Sequence, residues 1–91
     1  MAKNLTAAAA ATIATDAGAI LIQNNKALTG NIVVAVAGST QYNTPAATIA
    51  TITDPAVGNI FKYGGLAHQG IITVTPSATC DITVTVLSRI S

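Results

Sequence analysis

The sequence predicts an all-β protein, a small single-domain antiparallel sandwich or barrel that follows an alanine-rich N-terminal arm. The β-branched residues Thr, Ile and Val fill 32 of the 91 positions, and they favour extended backbone because a helix restricts their χ1 angle. From residue 18 onward, short β-rich runs alternate with turn residues, which is typical of sandwiches and barrels. A chain of 91 residues is long enough for one such domain.

Charged residues are scarce. They make up 8% of the chain against 51% hydrophobic residues, whereas ordinary soluble domains carry about 25% charged residues. The charged side chains are Lys3, Lys26, Lys62, Arg89, Asp16, Asp54 and Asp81. A surface with so few charges suits burial against other protein, since each buried charge would cost desolvation. We therefore expect a structural subunit that packs against copies of itself or against a larger assembly.

The first predicted strands lie between residues 18 and 37. Residues 18–23 (GAILIQ) form one strand, and Asn24-Asn25 suits a tight hairpin into a return strand at residues 26–28. Residues 31–37 (NIVVAVA) alternate between two faces that are both apolar. This pattern predicts a central strand, or a strand that lies against a neighbouring subunit.

The remaining strands are separated by clear turn signals. Residues 46–53 form a strand that ends at the turn Asp54-Pro55-Ala56-Val57-Gly58. Phe61 and Tyr63 alternate within residues 59–63 and should share a face, with core packing as the first expectation and an interface anchor as the second. Residues 70–75 and 79–87 flank a short connection and are predicted to pair as a hairpin. In the last strand Cys80, Ile82, Val84 and Val86 share one face.

The N-terminal segment differs from the rest, so the chain divides into an arm at residues 1–17 and a β domain at residues 18–91. Five successive alanines, residues 7–11, favour either a short helix or a thin extended arm across a neighbour. A partner subunit is the expected support for this arm. The residues predicted to contact a partner are Leu5, Ala9 and Ile13 in the arm, with Phe61 and Tyr63 in the β domain.

The sequence shows no combination of residues that is typical of a catalytic or cofactor-binding site. His68 is the single histidine and lies in a glycine-flanked loop, and no G-x-S-x-G motif accompanies it. Cys80 is the single thiol, so neither an intrachain disulfide nor a zinc site is expected. We expect no catalytic, metal-binding or cofactor-binding residues, and a protein that is not an enzyme. His68 is interpreted as a loop or interface residue and Cys80 as a small buried one.

Two classes of partner are excluded by composition. The net charge is +1 and the basic residues do not cluster, so nucleic-acid binding is not expected. No run of about 18 apolar residues is present, so a membrane span is not expected either. The segment at residues 5–14 is rich in Ala rather than in Leu, unlike the core of a signal peptide, and cytoplasmic synthesis without export is expected.

Three segments, NNKALTGNIVVAV, ATITDPAVGNIFKYGGL and GIITVTPSATCDITVTVLSR, resemble the small β-rich proteins encoded among tailed-bacteriophage structural genes. The likeness runs from Asn24 to Arg89 and is greatest to the capsid decoration, or cement, proteins. It implies a dimer or trimer on the exterior of the virion that bridges adjacent major capsid protein subunits and stabilises the capsid. Two alternatives remain open: a self-assembling subunit of a pilus-like filament or tube, and an adhesion module of a phage fibre.

Overall fold

The computed structural model describes residues 2–15 and 17–89, which form two antiparallel four-stranded sheets and confirm the predicted all-β sandwich. The strands are β1 (Ala2–Leu5), β2 (Ala11–Thr15), β3 (Ala17–Asn24), β4 (Asn31–Val36), β5 (Ala47–Thr53), β6 (Ile60–Tyr63), β7 (Ile71–Pro76) and β8 (Ile82–Arg89). Sheet I has the strand order β1-β8-β3-β6, and sheet II has the order β2-β7-β4-β5.

The core is a layer of isoleucine and valine side chains between the sheets. Alternate residues of each inner strand are buried, as expected for a sheet with one face turned inward. The members with no exposed surface are Ile20, Ile22, Ile82 and Val84 from sheet I and Ile32, Val34, Ile72 and Val74 from sheet II. Each such side chain contributes about 1.5–3 kcal/mol on burial, so this layer dominates the stability of the chain.

Strand β4 lies between β7 and β5 in sheet II, which confirms the central position that its two apolar faces predict. Ile32 and Val34 point into the core, whereas Val33 and Ala35 are half-buried on the outer face.

The N-terminal segment forms two edge strands in its described part. Strand β1 pairs with β8 in sheet I, and β2 pairs with β7 in sheet II, so residues 6–10 cross from one sheet to the other. Of the two conformations considered for this segment, the extended one is observed. The chain's own strands hold the segment, because Leu5 and Ile13 each enter the core from it. Whether a partner subunit also supports this segment stays a prediction.

Two predicted hairpins are wrong. Strand β7 lies in sheet II and β8 in sheet I, so they face each other across the core instead of pairing. Likewise, no return strand follows Asn24-Asn25, and the chain crosses to sheet II, where β4 begins at Asn31. Two successive strands can bury their apolar faces either as neighbours in one sheet or as members of two sheets that face each other across the core. The sequence pattern of alternating apolar and polar residues is the same in both arrangements, so it does not distinguish them.

The connections between the sheets are tied together by polar contacts. Asn24 is 1% exposed, and its Nδ2 donates to the carbonyl oxygens of Pro55 (3.2 Å) and Ala56 (2.8 Å). The Gly30 backbone N–H donates to Asp54 Oδ1 at 2.9 Å, and the Asp54 N–H donates to the Gly30 carbonyl at 2.8 Å. Asn24 and Asp54 thus join the β3–β4 connection to the β5–β6 connection, which is a role their sequence positions did not reveal.

Gly70 sits where two connections meet at the other end of the sandwich. Its φ is 81°, and a Cβ at this position would overlap the carbonyl oxygen of Gly38. Gly58 has nearly the same backbone, with φ 84°, but a Cβ there would meet nothing within 4 Å. Substituting each glycine by alanine therefore distinguishes the effect of backbone strain, which both positions share, from the effect of steric overlap, which only Gly70 has.

We predict that Gly58→Ala lowers the free energy of unfolding by about 1 kcal/mol, because alanine disfavours positive φ. Gly70→Ala should lower it by more, since the overlap with Gly38 adds to the same backbone penalty. Urea unfolding of both variants beside the wild type measures the difference. Equal losses would show that Gly38 moves away freely and that the close approach is unimportant.

Candidate interaction surface

The predicted contact residues of the N-terminal segment lie in different environments. Leu5 is 8% exposed and Ile13 is 4% exposed, and both pack in the core of this chain. Ala9 is exposed in the crossing loop. Of these three predicted interface residues, only Ala9 presents its side chain to solvent, and whether it contacts a partner stays a prediction.

Phe61 and Tyr63 lie on the inner face of β6. They stand opposite Ile22 and Ile20 in the register with β3 and pack against the core. The first expectation for them, core packing, is therefore the one observed, and burial raises the pKa of the Tyr63 hydroxyl. The other side of the strand is open to solvent, where Ile60 is 61% exposed and Lys62 is exposed as well.

Sheet II has a charge-free outer face. In its four strands, all of which the structure describes, no residue carries a charge. Directly opposed residues share a face, and the registers with β4 and β7 place one set of side chains outward. This set is Thr12, Asn31, Val33, Ala35, Thr48, Thr51, Thr53, Ile71, Thr73 and Thr75. Six of these ten residues are threonine, and the others are Asn31, Val33, Ala35 and Ile71.

Sheet I carries the strand charges instead. Lys3 lies in β1, Lys62 in β6 and Arg89 in β8. Asp54, Asp81 and Lys26 belong to connections between strands, and Asp16 falls outside the described residues. The sparse charges of the sequence are thus distributed unevenly, because one sheet holds none of them.

A second exposed feature is an aromatic pair at the end of the sandwich where Gly38 and Gly70 meet. The rings of Tyr42 and His68 stack with centroids 3.9 Å apart and planes inclined by 38°. The Thr44 hydroxyl donates to the His68 carbonyl at 2.7 Å. His68 has a φ of 63°, and its Nδ1 is buried without a hydrogen-bond partner among the described residues. The structure thus places His68 in a loop, half-buried against Tyr42.

A third polar feature surrounds Asp81, at the opposite end of the sandwich. Asn4 Nδ2 donates to Asp81 Oδ1 at 2.8 Å, and Asn25 Nδ2 donates to the same atom at 3.3 Å. These hydrogen bonds, with a smaller contribution from Lys26, hold the pKa of the Asp81 carboxyl below its ordinary value of 3.8. The carboxylate therefore joins β1 to the connections before β4 and β8, and its role is structural.

The residues considered for chemistry do not converge on one site. Within residues 2–15 and 17–89, no group of three or more His, Cys, Asp or Glu side chains is placed to hold a metal ion. Cys80 is 3% exposed, and its Sγ–H donates to the Leu5 carbonyl at 3.4 Å. Burial, and then the Asp81 carboxylate, raise the pKa of this thiol, so it is a poor nucleophile at neutral pH. The same residues contain no apolar helix of membrane-spanning length.

Comparison of the chain with protein-family models, with curated proteins and with solved structures gives no match in any of the three. The surface chemistry of the chain itself is therefore the basis for inferring its function.

We predict that Asp81 makes the stability of the protein depend on acid pH. Because its folded-state pKa lies below the unfolded value, its stabilising effect is fully present above the unfolded pKa and is lost as the pH falls through the folded pKa. The free energy of unfolding should therefore decrease below about pH 4, and Asp81→Asn should remove part of this decrease. Asn4→Ala should weaken the dependence without abolishing it. Urea unfolding at neutral and acid pH tests both variants, and a wild-type profile in Asp81→Asn would contradict the assignment.

Proposed function

We propose that this protein is a structural subunit of a tailed-phage virion that decorates the capsid and stabilises it by bridging adjacent major capsid protein subunits. The observation that carries the proposal is the uncharged outer face of sheet II. Such a face can be covered by another protein without desolvating any ion. The likeness of residues 24–89 to capsid decoration proteins supplies the kind of partner, and the proposed location is the capsid exterior, after synthesis in the host cytoplasm.

The chemistry of this face suits contact with a protein shell. Val33, Ala35 and Ile71 offer apolar surface, and the neighbouring threonines offer hydroxyls that can satisfy polar groups of a partner. Val33 lies near the middle of the face, with Thr75 on one side and Thr51 on the other. Interface centres are typically depleted of charged residues in this way. Stabilisation would follow from burying surface across the joint between two capsid subunits.

The filament alternative receives less support from the observed contacts. In a filament of that type, a terminal arm would complete the sheet of the next subunit. Here β1 and β2 are already paired with β8 and β7 of the same chain. The adhesion alternative would use the exposed Tyr42 beside His68, a single aromatic pair on the surface.

The test uses heads of the phage that encodes this chain, prepared from a strain in which its gene is deleted. We predict that the deleted heads disrupt at a lower temperature than complete heads, and that adding the purified protein raises this temperature to that of complete heads. Binding is measured by co-sedimentation of the protein with the heads, and disruption by release of DNA on heating. Failure of the wild-type protein to bind the heads would overturn the proposal.

Two matched variants locate the contact. Val33→Lys places a charge on the outer face of sheet II, whereas Leu21→Lys places one on the outer face of sheet I. Both residues are half-buried in central strands. We expect Val33→Lys to weaken binding by about tenfold or more, because the charge must be desolvated at the contact, and Leu21→Lys to bind like the wild type. If Leu21→Lys weakened binding and Val33→Lys bound like the wild type, the contact would be assigned to sheet I.

A further inference from the structure

The sandwich that the described strands form has four sheet edges, and one of them has no lysine. Edges of this kind present unpaired backbone N–H and C=O groups that can hydrogen-bond to another extended chain. Sheet I ends at β1 and β6, and sheet II ends at β2 and β5. Strand β5 has seven residues, whereas the other three edge strands have four or five.

Each of the other three edges has a lysine that opposes pairing with a further strand. Lys3 lies in β1 and Lys62 in β6, and lysine on an edge strand opposes pairing with a further strand. Lys3 also protects the edge of sheet II at β2, because its Nζ donates to the Thr12 carbonyl oxygen at 3.3 Å. Each of these three edges thus has a lysine in the strand or bonded to its backbone.

Strand β5 has no such protection. Its sequence, ATIATIT, contains neither a charge nor a proline. Outside the strand ladders, none of the hydrogen bonds found in the described part of the chain involves residues 47–53. Five of its seven residues are exposed, and Ile49, 37% exposed beside the bulge between β4 and β5, adds an apolar side chain to this edge. The register is regular from Ala50 to Thr53, which leaves an even stretch of backbone for pairing.

We propose that β5 is the contact between two copies of this chain, which pair antiparallel through their β5 edges and join two copies of sheet II into one eight-stranded sheet. A second copy is the fitting occupant because a charge-free strand meets itself without repulsion. Self-pairing at β1 or at β6 would instead bring two lysines together. This inference deepens the proposed function, on which it rests for the premise that the chain is a subunit of a larger assembly.

Symmetry fixes which residues meet. The two cores lie on the same side of the joined sheet only when outward residues oppose outward residues. Thr51 then stands opposite either Thr51 or Thr53 of the second copy. The outer faces of sheet II in the two copies then form one continuous uncharged surface.

The test is the mass of the purified chain alone, by sedimentation equilibrium, for the wild type, Thr51→Lys and Thr12→Lys. Both threonines are exposed on edge strands of sheet II, at its opposite edges. The wild type should be a dimer. Thr51→Lys should raise the dissociation constant at least about tenfold, because like charges meet across the two-fold axis, and Thr12→Lys should leave it unchanged.

A disulfide test does not depend on weakening the dimer. In mild oxidant, either Thr51→Cys alone or the double variant Thr51→Cys/Thr53→Cys should form a covalent dimer, because directly opposed side chains have Cβ atoms about 4.5–5.5 Å apart and each of the two registers opposes one such pair of cysteines. Thr12→Cys and the wild type, whose Cys80 is buried, should not. A monomeric or trimeric wild type, or a dimer that Thr51→Lys does not weaken, would overturn the inference. A monomer that still binds phage heads would overturn the β5 dimer and leave the proposed function standing. A β5 dimer that does not bind phage heads would support the dimer and overturn the proposed function.

Discussion

The layer of isoleucine and valine between the two sheets is the constraint on which the other features depend. The chain is short, its single cysteine is free, and the burial of these side chains supplies most of the driving force for folding. Because both sheets must contribute to one layer, the chain crosses between them at most of its connections. Among the eight described strands, only β4 and β5 follow each other within one sheet as a hairpin.

These crossings between the sheets explain why polar side chains make hydrogen bonds at the connections. A connection that leaves one sheet for the other exposes backbone groups that no ladder satisfies, and buried backbone groups need partners. Asn24 meets this need by donating to two carbonyls of the β5–β6 connection. At a neighbouring corner, Asn4 Nδ2 donates to the Ile82 carbonyl at 3.1 Å, while the Asp81 carboxylate accepts from the side chains of Asn4 and Asn25. Asp54, Asp81 and Lys26 lie in the connections, Lys3, Lys62 and Arg89 lie in strands of sheet I, and the strands of sheet II are left without charge.

The same distribution links the fold to the proposed assembly. A monomeric sandwich is normally protected from edge pairing by charges on its edge strands. Here three edges have a lysine and the fourth has none, while the face beside that fourth edge is also uncharged. Surface and edge therefore belong to one continuous region around β4 and β5, and a partner that covers it desolvates no ion.

The sequence by itself determined the class of the fold, the strands from residue 18 onward apart from the wrong return strand at residues 26–28, and the inward residues of several of these strands. Period-two alternation placed Ile82, Val84 and Val86 in the core, and the two apolar faces of residues 31–37 indicated a central strand. The scarcity of charge was also visible in the sequence. These properties follow from local composition and periodicity, which each strand carries without reference to its neighbours.

Only the tertiary structure decided which strands pair. Alternation is the same for a hairpin and for two strands that face each other across a core, so β7 and β8 could not be assigned to separate sheets beforehand. The burial of Asn24, the inclusion of β1 and β2 in the sandwich, and the concentration of charge away from sheet II all result from that pairing. The physical reason is that contacts between residues distant in sequence, such as Asn4 with Asp81 or Asp54 with Gly30, exist only after the strands have come together.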